Sequence, residues 1–122
     1  MRDIQTSDDV AVIVADFYGT MAEDPVLAPF FADIDMPRHV ETLTRFWTSL
    51  VFSTGTYHGR PLAPHFALGL EGRHFVACMT RFERIVGRHF AGPTADRMRQ
   101  QARQIAAVFQ HRMGLEIATP LP

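Results

Sequence analysis

The segment PRHVETLTRFWTSLV, residues 37–51, carries the apolar spacing that decides the fold. Its apolar side chains are Val40, Leu43, Phe46, Trp47, Leu50 and Val51. Their spacing follows the i, i+3, i+4, i+7 rule of an amphipathic helix, and the wide stripe indicates burial on more than one side. Pro37 suits the first position of this helix, and the Ser-Thr-Gly of residues 53–55 ends it.

Helical spacing also appears on both sides of this segment, without any strand pattern or internal repeat. The other predicted helices run from Thr6 or Ser7 to Pro25, from about Glu71 or Arg73 to Phe90, and from about Thr94 to Met113, with Gly114 as a C-terminal cap. A short apolar turn is predicted over residues 26–31. Residues 52–70 form a long irregular connection, a feature that often carries function in small domains. The fold class is therefore predicted to be all-α.

Length and composition indicate one globular domain, residues 1–122, with an ordered core from about residue 7 to residue 114. A net charge of −1 does not favour binding to nucleic acid or to a membrane surface. No apolar run reaches the length of a membrane span, and the first residues lack the pattern of a signal peptide. The single cysteine, Cys78, excludes an intramolecular disulfide and fits a reducing compartment, so a cytoplasmic location is expected.

Two histidines are candidate metal ligands. His39 shares a helical face with Leu43 and Phe46. His65 directly follows Pro64 in the irregular connection. A neutral imidazole is the commonest protein ligand to a metal, and one histidine often holds haem iron. Two histidines on facing helices would address opposite faces of one flat cofactor, although each alone also fits an ordinary surface or helix-edge residue.

The other polar residues have plainer interpretations. Tyr18 faces inward on the first helix, and its hydroxyl needs either a bound ligand or a backbone carbonyl as partner. Cys78 lies among apolar residues without a basic neighbour in the sequence, which predicts an unreactive buried thiol. Capping explains the paired carboxylates better than catalysis does; these are Asp8, Asp9, Asp33 and Asp35. The histidines without a shared face are interpreted as surface or boundary residues; these are His58, His74, His89 and His111.

Taken together, these residues make the chain similar to the truncated haemoglobins, specifically to their third group. The matching pieces are Phe17-Tyr18, Asp24-Pro-Val-Leu-Ala-Pro-Phe-Phe31, His39 followed by Phe46-Trp47, Tyr57-His-Gly-Arg-Pro61 leading to His65, and His74-Phe75. They cover nearly the whole chain. The combination of His-x6-Phe-Trp with Tyr-x-Gly-x-Pro-x3-His is fairly specific, whereas neither half alone is.

The resemblance implies a shortened globin fold, in which two helices pack over two and enclose haem b. It makes His65 the proximal iron ligand, and it makes Tyr18 and His39 the polar distal residues that stabilise a bound ligand. The residues that it places around the haem pocket are Phe17, Phe31, Leu43, Trp47, Phe75 and Cys78. Candidate partners of the haem propionates are Arg38, Arg45 and Arg60.

Cys78 departs from the family pattern. Family members typically carry a tryptophan at this site, three residues after the His-Phe pair. A thiol is smaller than an indole and a weaker hydrogen-bond donor than an indole N–H. The expectation is a roomier pocket, in which Tyr18 and His39 steady the ligand, and a faster loss of oxygen than in relatives with tryptophan.

The resemblance implies a ferrous haem protein that binds O2, CO, NO or a similar small ligand, as a monomer or weak dimer. An alternative is a haem redox enzyme acting on peroxide or on nitric oxide and related nitrogen species, which would need an electron-donating reductase. A third interpretation is a helical domain without haem that makes protein contacts. His39 or Tyr18 binding directly to the iron in the absence of gas is a further alternative.

Overall fold

Four α-helices and one 3-10 turn make up the described part of the chain, which is residues 1–55, 57, 59 and 69–118 of a computed structural model. The helices are α1 (Ser7–Met21), α2 (Met36–Val51), α3 (Gly72–His89) and α4 (Pro93–Arg112), and the 3-10 turn spans Ala28–Phe31. None of these described residues lies in a strand. The all-α prediction is confirmed, and the helix bounds lie close to the predicted ones except at the end of α1.

The helices pack as two pairs around one core. α1 packs on α2 and α3 packs on α4, and the pairs meet where α1 contacts α3 and α2 contacts α4. The buried core includes Val10, Ile13, Val14, Trp47, Val51, Met79, Phe82, Ile85, Val86 and Met98. This is the expected arrangement of two helices over two. Within the described ranges, no helix combines the length and hydropathy that a membrane span requires.

The start of α1 is fixed by a network of charge and capping. Asp9 donates its backbone N–H to the Thr6 hydroxyl at 3.2 Å. The Asp9 carboxylate in turn accepts the backbone N–H groups of Gln5 and Thr6 at 2.8 and 3.1 Å. Arg2 donates to both carboxylate oxygens, at 2.6 and 2.7 Å. The prediction that this aspartate caps a helix is confirmed.

The end of α1 comes four residues before Pro25, so the prediction that proline sets this boundary is wrong. The backbone N–H groups of Glu23 and Asp24 donate three residues back, to Thr20 and Met21, which tightens the chain out of the α-helix. The Asp24 carboxylate then accepts the Val26 N–H at 2.8 Å. The aspartate side chain therefore builds a turn before the proline acts.

Both ends of α2 are satisfied by side chains. Asp35 accepts the Arg38 N–H at 3.3 Å, and Pro37 lies in the first turn. At the other end, Arg97 of α4 donates to the carbonyl oxygen of Val51 at 2.8 Å. A guanidinium at a helix C-terminus complements the helix dipole, so α4 both packs on α2 and stabilises its last turn.

The chain ends pack more tightly than the pattern suggested. Asp3 accepts the N–H groups of Thr94 and Ala95 at 2.9 Å each, and so caps the start of α4. Gln110, which is fully buried, holds Ala118 by hydrogen bonds to its backbone N–H and carbonyl at 2.8 and 3.1 Å. The expected core from residue 7 to residue 114 did not include these contacts.

Candidate ligand-binding site

Three predicted site residues come together in a group that we name the Tyr18 cluster: Tyr18, Phe31 and His39. The last turn of α1 carries Tyr18, the 3-10 turn carries Phe31 and the first turn of α2 carries His39. The ring centroids of Tyr18 and His39 lie 4.4 Å apart in an edge-on arrangement. Phe31 lies 5.9 Å from Tyr18 and 6.3 Å from His39. The fold thus brings residues from three separate elements to one place.

Tyr18 is partly buried and lies among aromatic rings. Burial raises the pKa of this phenol above its ordinary value, and the Cys78 thiol adds to the shift. Tyr18 therefore keeps its proton at neutral pH and acts as a hydrogen-bond donor. No residue of the described part of the chain hydrogen-bonds this hydroxyl. The sequence left two partners open for this hydroxyl, a bound ligand and a backbone carbonyl. No backbone carbonyl of the described ranges accepts it.

A continuous set of aromatic rings supports the cluster. Phe17 contacts Tyr18 and Phe82 edge-on, with centroids 5.0 and 5.3 Å apart. Trp47, buried on α2, stacks on Phe82 at 5.2 Å with 23° between the rings. Phe17 and Trp47 thus join through Phe82, a residue that the sequence analysis did not place in the site. Edge-on and stacked ring pairs of this kind hold their partners in fixed orientations.

Further along α2, Leu43 and Phe46 pack against the core while remaining partly exposed. Phe46 contacts the ring of Tyr57 edge-on, with centroids 5.2 Å apart. A cavity of about 420 Å³ opens beside them. It is lined by Phe46, Ser49, Leu50, Ser53, Gly55 and Tyr57. Apolar surface on α2 therefore extends beyond the Tyr18 cluster, as far as Gly55 and Tyr57.

Helix α3 carries the last two predicted site residues, Phe75 and Cys78. Phe75 is buried. The Cys78 Sγ lies 3.6 Å from the Sδ of Met21, which is in the last turn of α1. Burial raises the pKa of the Cys78 thiol to about 11, so the thiol stays protonated at neutral pH. The raised pKa agrees with the prediction of an unreactive thiol, which stays a prediction. Met21 is a neighbour that the sequence pattern did not identify.

The comparison with solved structures decides the fold. The structure described as that of group III truncated haemoglobin from Campylobacter jejuni matches with a TM-score of 0.83, over 93% of this chain and 95% of that one. This chain has a truncated-haemoglobin fold. The two sequences are 23% identical, a level at which the likeness shows the fold alone. No family model and no curated protein matches the chain. The prediction of a shortened globin is confirmed.

The predicted metal ligand of this globin fold, His65, lies outside the described residues, as does Arg60. Arg38 and Arg45 are exposed on α2, and neither forms an ion pair with a carboxylate in the described ranges. All four assignments therefore stay predictions. Among the described residues, no group of three or more His, Cys, Asp or Glu side chains is placed to hold a metal ion.

Among the histidines that the structure describes, the interpretation of His74 as a surface or boundary residue was wrong. His74 is 5% exposed rather than at the surface, and its Nδ1 accepts the Glu71 backbone N–H at 2.8 Å. Its ring also contacts Phe30, with centroids 4.9 Å apart. The imidazole replaces the carboxylate of a capping box at the start of α3. The spacing from Glu71 to His74 carried that signal, which was missed because histidine is uncommon in this role.

Proposed function

We propose that the chain is a haem b protein that binds oxygen, or another diatomic ligand such as CO or NO, at an iron held by His65. The observation that supports this most is the Tyr18 cluster. It sets a protonated phenol edge-on against an imidazole at 4.4 Å, within a fold of truncated-haemoglobin type. Neither the cluster alone nor the fold alone would favour this function over a helical domain that makes protein contacts.

The residues present fit such a cofactor. Haem is flat and largely apolar, and the Phe31 ring lies beside the phenol, while Leu43 on α2 and Phe75 on α3 add apolar side chains. The Tyr18 O–H, set among the rings of Phe31 and His39, is available as a hydrogen-bond donor to a polar ligand atom. When bound, the haem supplies iron with a coordination position for a small ligand, while the protein supplies polarity and access. The Tyr18 cluster provides both.

Each residue has a definite role in this proposal. Tyr18 donates its O–H to an electronegative ligand atom, and its raised pKa keeps that proton in place. His39 restricts the phenol by its edge contact and adds a second polar ring. Phe31 packs beside both rings, and its apolar ring would limit the access of water to a bound ligand, which strengthens any hydrogen bond made there. Phe17 contacts Tyr18 and is itself supported by Phe82, on which Trp47 stacks.

An absorption spectrum tests the proposal directly. The protein is loaded with haem and measured before and after dithionite and carbon monoxide. We expect a sharp Soret band, a histidine-ligated ferrous spectrum and a stable CO adduct, all lost in His65→Ala. His111→Ala, which removes an exposed histidine at the end of α4, is the matched control and keeps the wild-type spectrum. Weak, non-stoichiometric haem uptake that His65→Ala does not change would overturn the proposal.

A second candidate function is redox chemistry on peroxide or nitric oxide at the same site. The pairing of two polar rings, Tyr18 and His39, favours it, because two such groups can polarise an O–O bond together. Turnover would require a reductase as electron donor. Rapid consumption of peroxide by the loaded protein, lost in His39→Leu, would favour this function, whereas reversible oxygenation without turnover favours simple binding.

A further inference from the structure

One side chain from α3 ties together the two elements that carry Tyr18 and Phe31. Arg81 reaches across to α1, where its Nη1 donates to the carbonyl oxygen of Thr20 at 3.1 Å. Its Nη2 donates to the Asp24 carboxylate at 2.5 Å. The Arg81 and Asp24 side chains are 25% and 19% exposed, so solvent screens this ion pair only in part. A planar guanidinium held at two points has little freedom left.

Asp24 passes this restraint on to the 3-10 turn. While one carboxylate oxygen accepts from Arg81, the other accepts the Val26 N–H at 2.8 Å. The Asp24 backbone carbonyl also accepts the N–H groups of Leu27 and Ala28, at 3.1 and 2.7 Å. The 3-10 turn that contains Phe31 starts at Ala28. The ion pair is therefore bonded to the end of α1 on one side and to the start of the Phe31 turn on the other.

Tyr18 lies in the helical turn that this ion pair closes. Its carbonyl accepts the Ala22 N–H at 3.0 Å, and Thr20, whose carbonyl Arg81 binds, is two residues away. Last turns of helices fray because their carbonyls lack intrahelical partners. A donor from another helix that takes one of these carbonyls suppresses that fraying. The position of the Tyr18 hydroxyl thus depends on how firmly this turn is held.

We propose that the Arg81–Asp24 ion pair positions the Tyr18 hydroxyl. Through this hydroxyl, the ion pair sets the preference of the site for oxygen over carbon monoxide. The inference rests on the proposed function. Bound oxygen carries partial negative charge and gains from a well-placed O–H donor, whereas carbon monoxide gains much less. Loosening the α1 end therefore weakens the retention of oxygen selectively. Arg81 acts through Tyr18 and does not itself touch the ligand.

The variants that test this are Arg81→Gln and Asp24→Asn. The asparagine keeps an oxygen for the Val26 N–H and removes only the charge. The matched control is Arg103→Gln. It breaks another arginine–carboxylate pair, in which Arg103 of α4 donates to the Glu83 carboxylate of α3 at 2.5 and 2.9 Å. This pair joins α3 to α4 rather than to α1. Arg81→Lys restores the charge without the planar fork and should rescue the effect in part.

Two measurements are made on each variant. The first is hydrogen exchange of the backbone amides in residues 22–28, with and without haem. The second is the pair of dissociation rates for oxygen and for carbon monoxide. We expect faster exchange in residues 22–28 for Arg81→Gln and Asp24→Asn, and oxygen dissociation roughly three- to tenfold faster, with carbon monoxide changed less than about twofold. The double variant should be no worse than either single one.

Three outcomes would overturn the inference. These are unchanged exchange in residues 22–28, equal changes in the rates of the two gases, and the same selective change in Arg103→Gln. A wild-type chain that retains no haem would instead overturn the proposed function and the claim about gas preference with it. Loaded variants with an unaltered ratio of the two rates would leave the proposed function intact and remove only this inference.

Discussion

The two ends of α1 treat their polar groups in opposite ways. At the N-terminal end, the Asp9 carboxylate is bonded by Arg2 and by two backbone N–H groups, which hold its pKa well below the usual range. At the C-terminal end, burial raises the pKa values of Tyr18 and Cys78, and no described residue bonds the Tyr18 hydroxyl. Polar groups with several partners serve stability, whereas groups with raised pKa values and few partners are typical of functional sites. One helix is thus anchored at its start through Asp9, and its end, which Arg81 and Asp24 hold, carries the candidate site.

Asp9→Ala breaks the anchored end and has the largest expected effect on stability. It removes the capping box, the two backbone hydrogen bonds and the ion pair at once. We expect a loss of about 2–3 kcal/mol in the free energy of unfolding, measured by denaturant titration. Asp8→Ala, at an exposed neighbouring position, is the control. A loss as large in Asp8→Ala would show that helix-start charge alone, without the network, accounts for the effect.

The same network predicts a direction with pH. A carboxylate whose pKa is lower in the folded chain than in the unfolded chain stabilises the fold above the unfolded pKa, which is about 4. That stabilisation is lost as the pH falls below this value. The free energy of unfolding of Asp9→Ala should therefore change less than that of the wild type between pH 5 and pH 3, roughly one unit on each side of the unfolded pKa. Parallel acid curves for the two proteins would contradict this.

Tyr18→Phe breaks the other end and separates function from stability. Because no described residue bonds the hydroxyl, its removal should change the free energy of unfolding by less than about 1 kcal/mol. Oxygen dissociation from the loaded protein should become roughly tenfold faster or more, since a hydrogen bond to a charged acceptor is lost. Stopped-flow measurement of the oxygen and carbon monoxide rates gives the answer. A large loss of stability with unchanged rates would show instead that Tyr18 serves the stability of the fold, as Asp9 does.

The contrast between the two ends also separates what the sequence predicts from what it does not. Local rules predicted the capping by Asp9 and Asp35 and the inward face of α3, because these depend on neighbours three or four residues apart. The end of α1 was missed because it depends on the Asp24 turn and on Arg81, which lies 57 residues further along. Long-range ties of that kind leave no periodic signal.

The candidate site divides in the same way. The resemblance to the truncated haemoglobins named Tyr18, Phe31 and His39, and the fold brings them together. It did not name Phe82 as the ring between Phe17 and Trp47, nor Met21 as the neighbour of Cys78, because apolar residues at helical spacing all look like core. Which of them face a ligand is decided by packing between helices, and the sequence pattern does not encode that packing.

Cys78→Trp sharpens the comparison at the site end. An indole adds an N–H donor beside Tyr18, so oxygen dissociation should slow by roughly threefold. Met21 already contacts the Cys78 sulfur at 3.6 Å, so the larger ring should also cost about 1–3 kcal/mol in stability through overpacking. Cys78→Leu adds bulk without a donor and should leave the rate near that of the wild type. Equal slowing by both variants would assign the effect to lost space rather than to the donor.

The smallest expected effect concerns the rate at which the Cys78 thiol is alkylated. Its pKa of about 11 implies that alkylation by iodoacetamide in the folded protein stays slow at pH 8 and rises toward pH 11. In denaturant, the same thiol should titrate near its ordinary value of about 8.5. A group with a raised pKa stabilises the fold below its unfolded pKa, and this contribution is lost as the pH rises toward the folded value. Fast alkylation of the folded protein at pH 8 would show that the α1 end opens to solvent. The desolvation that also raises the pKa of Tyr18 would then be absent, and the two ends of α1 would no longer differ.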